Sequence, residues 1–168
     1  MWTDTSVKTW KDVRSDWPDE EISFFAPGKD SGTFDFFNEA VLDDTDIRED
    51  AQLSEDDNVL VTGVAGTEGA IGFFGYAYYI ENQDTLRAMA VEGVEPTPET
   101  INDLSYPLSR EIYTYVNNAS LKDKEQVAEF ARFMNENAGA LSEEVGYVGM
   151  EQARYDENMK MIDEIAGE

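Results

Sequence analysis

Asp30, Ser31, Gly32 and Thr33 make up the stretch of this sequence whose residue types and spacing are suited to chemistry. The stretch follows an apolar run that stops at Pro27-Gly28 and precedes Phe34, Phe36 and Phe37. A loop that delivers a Ser, a Gly and a Thr to the start of a helix presents unpaired backbone N–H groups beside two hydroxyl donors. The helix dipole adds roughly half a positive charge at that end. A tetrahedral oxyanion needs such a convergent set of donors, and glycine lets the backbone come close to it. The plainer reading is that Asp30 or Ser31 caps the helix and Gly32 merely begins it, and the tripeptide alone does not separate the two. Asp30 also cuts both ways. It repels a fully ionised anion but accepts a hydrogen bond from a protonated phosphate, a preference that would reject sulfate.

Much other chemistry is excluded by what the chain lacks. It has no Cys and no His, so thiolate sites, disulfides and Ser-His-Asp or Cys-His nucleophiles are impossible. The commonest zinc ligands are missing too, and the Asp43-Asp44 and Asp56-Asp57 pairs lack the spacing of a calcium loop, so no metal or other cofactor is expected. The 37 Asp and Glu against 12 Lys and Arg leave a net charge of −25, which disfavours nucleic acid and anionic lipid as partners. Three origins of this acidity stay open: a high-salt habitat, broad cation binding, or extracytoplasmic solubility. The even scatter of the acids favours the first. No apolar stretch approaches membrane-spanning length, so no membrane insertion is expected, and Met1-Trp2-Thr3-Asp4 does not read as a signal peptide.

The elements that must position the loop follow from periodicity. Residues 21–26 predict a short buried strand, and Phe34 to Val41 a helix with an apolar side. Residues 43–53 read as acidic loop, and Ser54-Glu55-Asp56-Asp57 as a capping box opening a helix through Leu60 and Val64. Gly69 to Gly75 predicts a strand turning into a helix over Tyr76 to Ile80, with the aromatic run read as core packing. Leu86 to Val91 and Tyr106 to Val116 predict further strands, the latter a long one. Thr97-Pro98-Glu99 predicts a capped helix start. Val127, Phe130, Ala131 and Met134 recur at helical spacing, as do Tyr155, Met159 and Ile162. Strands alternating with helices indicate an α/β fold with a mixed sheet.

Residues 10–37, containing Trp17-Pro18-Asp19 and Ala26-Pro27-Gly28-Lys29-Asp30-Ser31-Gly32-Thr33-Phe34, resemble the second lobe of PstS-type phosphate-binding proteins of ABC uptake systems. Three further blocks are similar to that family in the same order: Ala70 to Tyr79, Tyr106-Pro107-Leu108-Ser109-Arg110 with Tyr115-Val116-Asn117 after it, and Glu144 to Val148. The resemblance implies a type II periplasmic-binding-protein-like lobe with helices flanking the sheet. It also implies that Ser31, Gly32 and Thr33 donate to phosphate, with Asp30 beside them. Many family members carry an Arg shortly before the Ser; here Lys29 or Arg110 is left to supply the charge, and Arg110 serves equally well as a hinge-side ion-pair partner. The resemblance divides the chain into residues 1–111, the phosphate-gripping lobe, and 112–168, a return and C-terminal helices belonging to a first lobe whose N-terminal part is expected to be absent.

The function this implies is non-covalent capture of inorganic phosphate for delivery to a membrane permease, in a periplasmic or cell-surface setting, with any signal or anchor outside this chain. The chain is not expected to be an enzyme. With half the contacts missing, phosphate binding by the chain alone is expected to be far weaker than in the family, and a partner lobe or self-association would cover the exposed apolar surface. Two alternatives remain. One is a non-binding interaction domain that keeps the fold. The other is a phosphate-ester hydrolase acting through a loop hydroxyl, which lacks an evident general base.

Overall fold

Ile22, Phe24, Phe25 and Ala26 are apolar residues interrupted only by Ser23, and they can be satisfied only where both faces of a strand are covered. In the computed structural model, which describes residues 1–167, they lie buried in and beside the central strand of a three-stranded sheet. The chain forms two units, Met1–Ala88 and Met89–Glu168.

The first unit opens with a short helix α1 (Trp10–Val13), capped by Thr9, and continues through strand β1 (Ser23–Pro27) into helix α2 (Gly32–Phe37). A π-helical turn (Asn38–Leu42) extends α2. Strand β2 (Gln52–Ser54), helix α3 (Asp57–Gly66), strand β3 (Ala70–Gly72) and helix α4 (Tyr76–Ile80) follow. The strand order is β2-β1-β3 and both pairings are parallel, with Phe25 opposite Gln52 and Phe24 opposite Ile71. This is an α/β lobe with a sheet flanked by helices, as expected, and its described strands all run the same way.

Successive strand residues point to opposite faces, so Phe24 and Phe25 serve different layers. Phe24 meets Trp2 edge-on at 5.1 Å, and the same indole meets Phe37 at 5.4 Å and Phe73 at 5.3 Å. Phe37 and Phe73 stack with centroids 3.8 Å apart. On the other face Phe25 lies against α3, where Gly63 has no room for a side chain: a Cβ there would stand 2.7 Å from Phe25 Cδ1. The N-terminal segment is tied down by Arg48, whose side chain is buried and donates to the carbonyls of Met1 (3.1 Å) and Val7 (2.9 Å).

The second unit is helical: α5 (Pro98–Asn102), α6 (Asn118–Asp123), α7 (Glu125–Glu144) and α8 (Gln152–Ala166). Leu121, Ala128 and Ala131 form its buried cluster, with Val127, Ile162 and Ile165 packed against it. Arg132 of α7 reaches Asp163 of α8 at 2.8 Å, and Asn135 donates to the Tyr155 carbonyl at 2.8 Å.

Several expectations need correction. Leu86 to Val91 is not a strand; only the isolated Val91–Val94 bridge forms there. Tyr106 to Val116 is irregular, with Tyr115 90% exposed. Its alternation shows side chains fit for a pleated face, but among the described residues no strand pairs with it. The acidic 43–53 loop contains the start of β2, a strand joined through its backbone although its only apolar residue, Leu53, is exposed. Asp56, not Ser54, caps α3: its carboxylate accepts from Asn58 N at 3.0 Å. The π-helical turn shifts the phase of the helix after α2, leaving Val41 44% exposed and turning Leu42 inward at 5%. On α7 the buried stripe runs through Ala128 and Ala131, while Phe130 is 61% exposed.

Candidate anion-binding site

Each parallel strand of the first unit ends at the same edge of the sheet, because Pro27 is level with Ser54 and Phe25 with Gly72. Each is followed within a few residues by a helix: β1 by α2, β2 by α3 and β3 by α4. Three helix N-termini therefore open at the carboxyl edge, the place where open α/β sheets take ligands. The sequence reading singled out only the first of them. The repeated strand–turn–helix order held the signal for the other two, once the strands are known to be parallel.

The loop between β1 and α2 is built from short-range bonds. Gly28 N donates to Ser54 O at 2.9 Å, which pins the start of the loop to the end of β2. Ser31 N donates to Gly28 O at 3.0 Å, closing a turn, and Asp35 N donates to Ser31 O at 3.0 Å, the first helical bond. Ser31 is the N-cap, in extended conformation, and its Oγ accepts from Thr33 N at 3.2 Å. Of the two capping candidates the structure selects Ser31, which leaves the Asp30 carboxylate exposed beside the loop.

The consequences for binding follow from helix geometry. The first amides of a helix have no acceptor in the preceding turn. The Ser31 hydroxyl takes that of Thr33, and no acceptor among the described residues receives those of Gly32 and Phe34. Since Ser31 Oγ accepts from the backbone, its own proton is available to an external acceptor. Gly32 is exposed and Ser31 and Thr33 are half-exposed, so these donors face solvent, while Phe34 is buried behind them. A separate concavity of about 530 Å³ runs along α3, lined by Phe25, Gln52, Asn58 and Thr62 among others; none of the loop residues belongs to it.

Asp30, Ser31, Gly32 and Thr33 are thus grouped by a single turn. Arg110 lies in the second unit, in the irregular segment after α5. Sequence reasoning missed Glu55, the residue after β2, whose carboxylate rests on the backbone of Gly28; the absent side chain at Gly28 was the only sign of it.

Residues 3–137, the greater part of the chain, match the family model described as a PBP superfamily domain. The chain belongs to the PBP superfamily. Among PBP relatives, the phosphate-binding protein PstS of Staphylococcus saprophyticus is 40% identical over 166 residues, which cover 96% of this chain and 51% of that protein. The PstS of Staphylococcus haemolyticus is 42% identical over 159 residues, covering 92% and 50%. The chain spans about half the length of the curated relatives it matches. A possible phosphate binding protein from Planctomyces limnophilus superposes with a TM-score of 0.81 at 38% identity, over 98% of this chain and 61% of that one. A putative phosphate ABC transporter substrate-binding protein from Clostridium perfringens, solved with bound phosphate, gives 0.65 at 25% identity, over 86% and 57%. The PBP lobe expected from the sequence is therefore the one found.

Proposed function

We propose that this chain supplies a phosphate-gripping face of a solute-binding protein for ABC-type uptake, and that it binds the anion without covalent chemistry. The observation that carries the reading is the Ser31-Gly32-Thr33 turn: two hydroxyls and the unpaired Gly32 and Phe34 amides at a helix start, on the carboxyl edge of a parallel sheet. The resemblance to proteins named PstS supports phosphate as the anion and a permease as the partner. In this reading the protein is a binder and not an enzyme, and it works in a periplasmic or cell-surface compartment. Among the described residues no helix is long and apolar enough to cross a membrane.

Residues 1–111 form the gripping lobe in this proposal and residues 112–168 return toward a further lobe. The exposure of Ile112, Tyr113 and Tyr115, side chains suited to burial, supports that assignment. Asp30 accepts a hydrogen bond from a protonated phosphate.

Thermal melts with and without phosphate, at moderate and multimolar salt and with sulfate as control, test the function. A ligand that binds only the folded state raises the melting temperature by mass action. The expected result is an upward shift with phosphate and none with sulfate. No shift at either salt, on a chain that melts cooperatively, overturns phosphate binding by this chain and favours a non-binding interaction domain.

A further inference from the structure

Three consecutive acids follow β2, Glu55 and Asp56 before α3 and Asp57 as its first residue, and the structure gives each a different place. Asp56 turns to the helix, its Oδ1 accepting from Asn58 N at 3.0 Å and Asn58 Nδ2 at 3.1 Å. Asp57 is half-buried, and its Oδ1 has no hydrogen-bond partner among the described residues. Glu55 instead lays its carboxylate over Gly28, in the space that a side chain at position 28 would occupy; a Cβ there would stand 2.8 Å from Glu55 Oε2 and nearer still to Oε1. Gly28 is the first residue of the turn that closes on Ser31 N at 3.0 Å.

We infer that Glu55 is a specificity-determining residue of the anion loop, a negative charge laid over Gly28 that lowers the loop's affinity for dianions relative to monoanions. The inference rests on the phosphate reading of the same loop. The two ends of a closed turn lie within about 7 Å of each other. The Glu55 charge therefore sits about a Debye length from Ser31 at low ionic strength, where salt screens it only in part. The other charges around it are Lys29 and Asp30 on the same loop and Asp56 and Asp57 at the start of α3. Lys29 offsets part of the field, while Asp56 and Asp57 are turned to the helix cap and half-buried. The absence of a side chain at residue 28 is what admits the carboxylate. A doubly charged anion feels twice the repulsion of a singly charged one, so the loop favours the doubly protonated monoanion H₂PO₄⁻ over the singly protonated dianion HPO₄²⁻.

Calorimetric titration with inorganic phosphate at pH 6 and pH 8 tests this on the wild-type chain and on Glu55→Gln, Gly28→Ala and Glu68→Gln. Glu68 precedes β3 and so lies at the opposite edge of the sheet, where it reports the effect of net charge alone. Glu55→Gln is expected to tighten binding about fivefold at pH 8 and less at pH 6, as expected for removing one charge at this range. Gly28→Ala, which must displace the carboxylate, is expected to move in the same direction, and Glu68→Gln to change nothing. Equal affinities for wild type and Glu55→Gln at both pH values overturn the inference and leave phosphate binding standing, as does an equal gain in Glu68→Gln. A wild-type chain that takes up no phosphate overturns the function reading and this inference with it.

Discussion

The guanidinium of Arg48 sits 3.8 Å from the centroid of the Phe24 ring, a cation held against the central strand of the sheet. Only 4% of the residue is exposed, so its charge has to be answered by hydrogen bonds. Asp50 answers with two, at 2.5 Å and 2.9 Å, and the Met1 and Val7 carbonyls take the rest. Asp50→Asn leaves the buried cation with neutral partners only. It is expected to lower the stability of the first unit by about 2 kcal/mol, the scale of a hydrogen bond to a charged group. Urea unfolding followed by tryptophan fluorescence measures this, and Arg48→Met is expected to lose more, since it also frees the Met1 and Val7 carbonyls.

The same pair sets a pH dependence. Hydrogen bonds from Arg48 hold the Asp50 carboxyl below its usual value of 3.8, and the Lys8 and Thr9 amides do the same for Asp12. A carboxyl depressed by folding contributes stability that is fully present above its unfolded value and is lost as pH falls through the folded one. Asp57 runs the other way: burial, with Asp56 beside it, pushes its carboxyl up, so folding favours its protonated form and its ionisation opposes folding at neutral pH. Melting temperature is therefore expected to fall below about pH 4, and less steeply in Asp50→Asn than in wild type.

Ser31 caps α2, and in the proposed site it also donates to the anion; substitution separates the two. Glycine is tolerated at an N-cap whereas alanine costs about 1 kcal/mol. Ser31→Ala is expected to lose both stability and phosphate affinity. Ser31→Gly is expected to keep nearly all the stability yet lose about tenfold or more in affinity, since a hydrogen bond to a charged ligand is gone. Calorimetry paired with a thermal melt distinguishes the two effects.

At Gly63, α3 lies against the sheet with no room for a side chain. A methyl group there collides with the buried Phe25 ring, 2.7 Å from its Cδ1. Gly63→Ala is expected to destabilise the first unit by about 2 kcal/mol, the usual cost of overpacking, despite alanine's better helix propensity. A chemical denaturation midpoint that rises instead would show that the helix can shift.

The sequence made the first unit readable where local rules and packing agree. The apolar run at Phe24-Phe25, the turn at Pro27-Gly28, the helix start at Ser31 and the Gly72-to-Tyr76 transition each carry a signal within a few residues, and each is found where expected. What failed depends on distant partners. Gln52–Ser54 becomes a strand because β1 offers it a backbone edge, a fact absent from its own side chains. The residues from Tyr106 to Val116 have the side chains of a strand without a described neighbour. The Ser31-Gly32-Thr33 turn and its Ser31 cap were legible because the cap and the donor pattern of the proposed site lie in one short stretch. Glu55 was not, since its place over Gly28 arises from the parallel pairing of β1 with β2.

Trp2 has a consequence for the order of folding. Its ring partners are Phe24, Phe37 and Phe73, so the indole leaves the ribosome long before the last wall of its pocket exists. Contacts so distant along the chain are slow to form because a long loop must close first. Until Phe73 arrives, the nascent chain carries an unburied indole and an unpaired sheet edge, with its many carboxylates the chief protection against sticking to its neighbours.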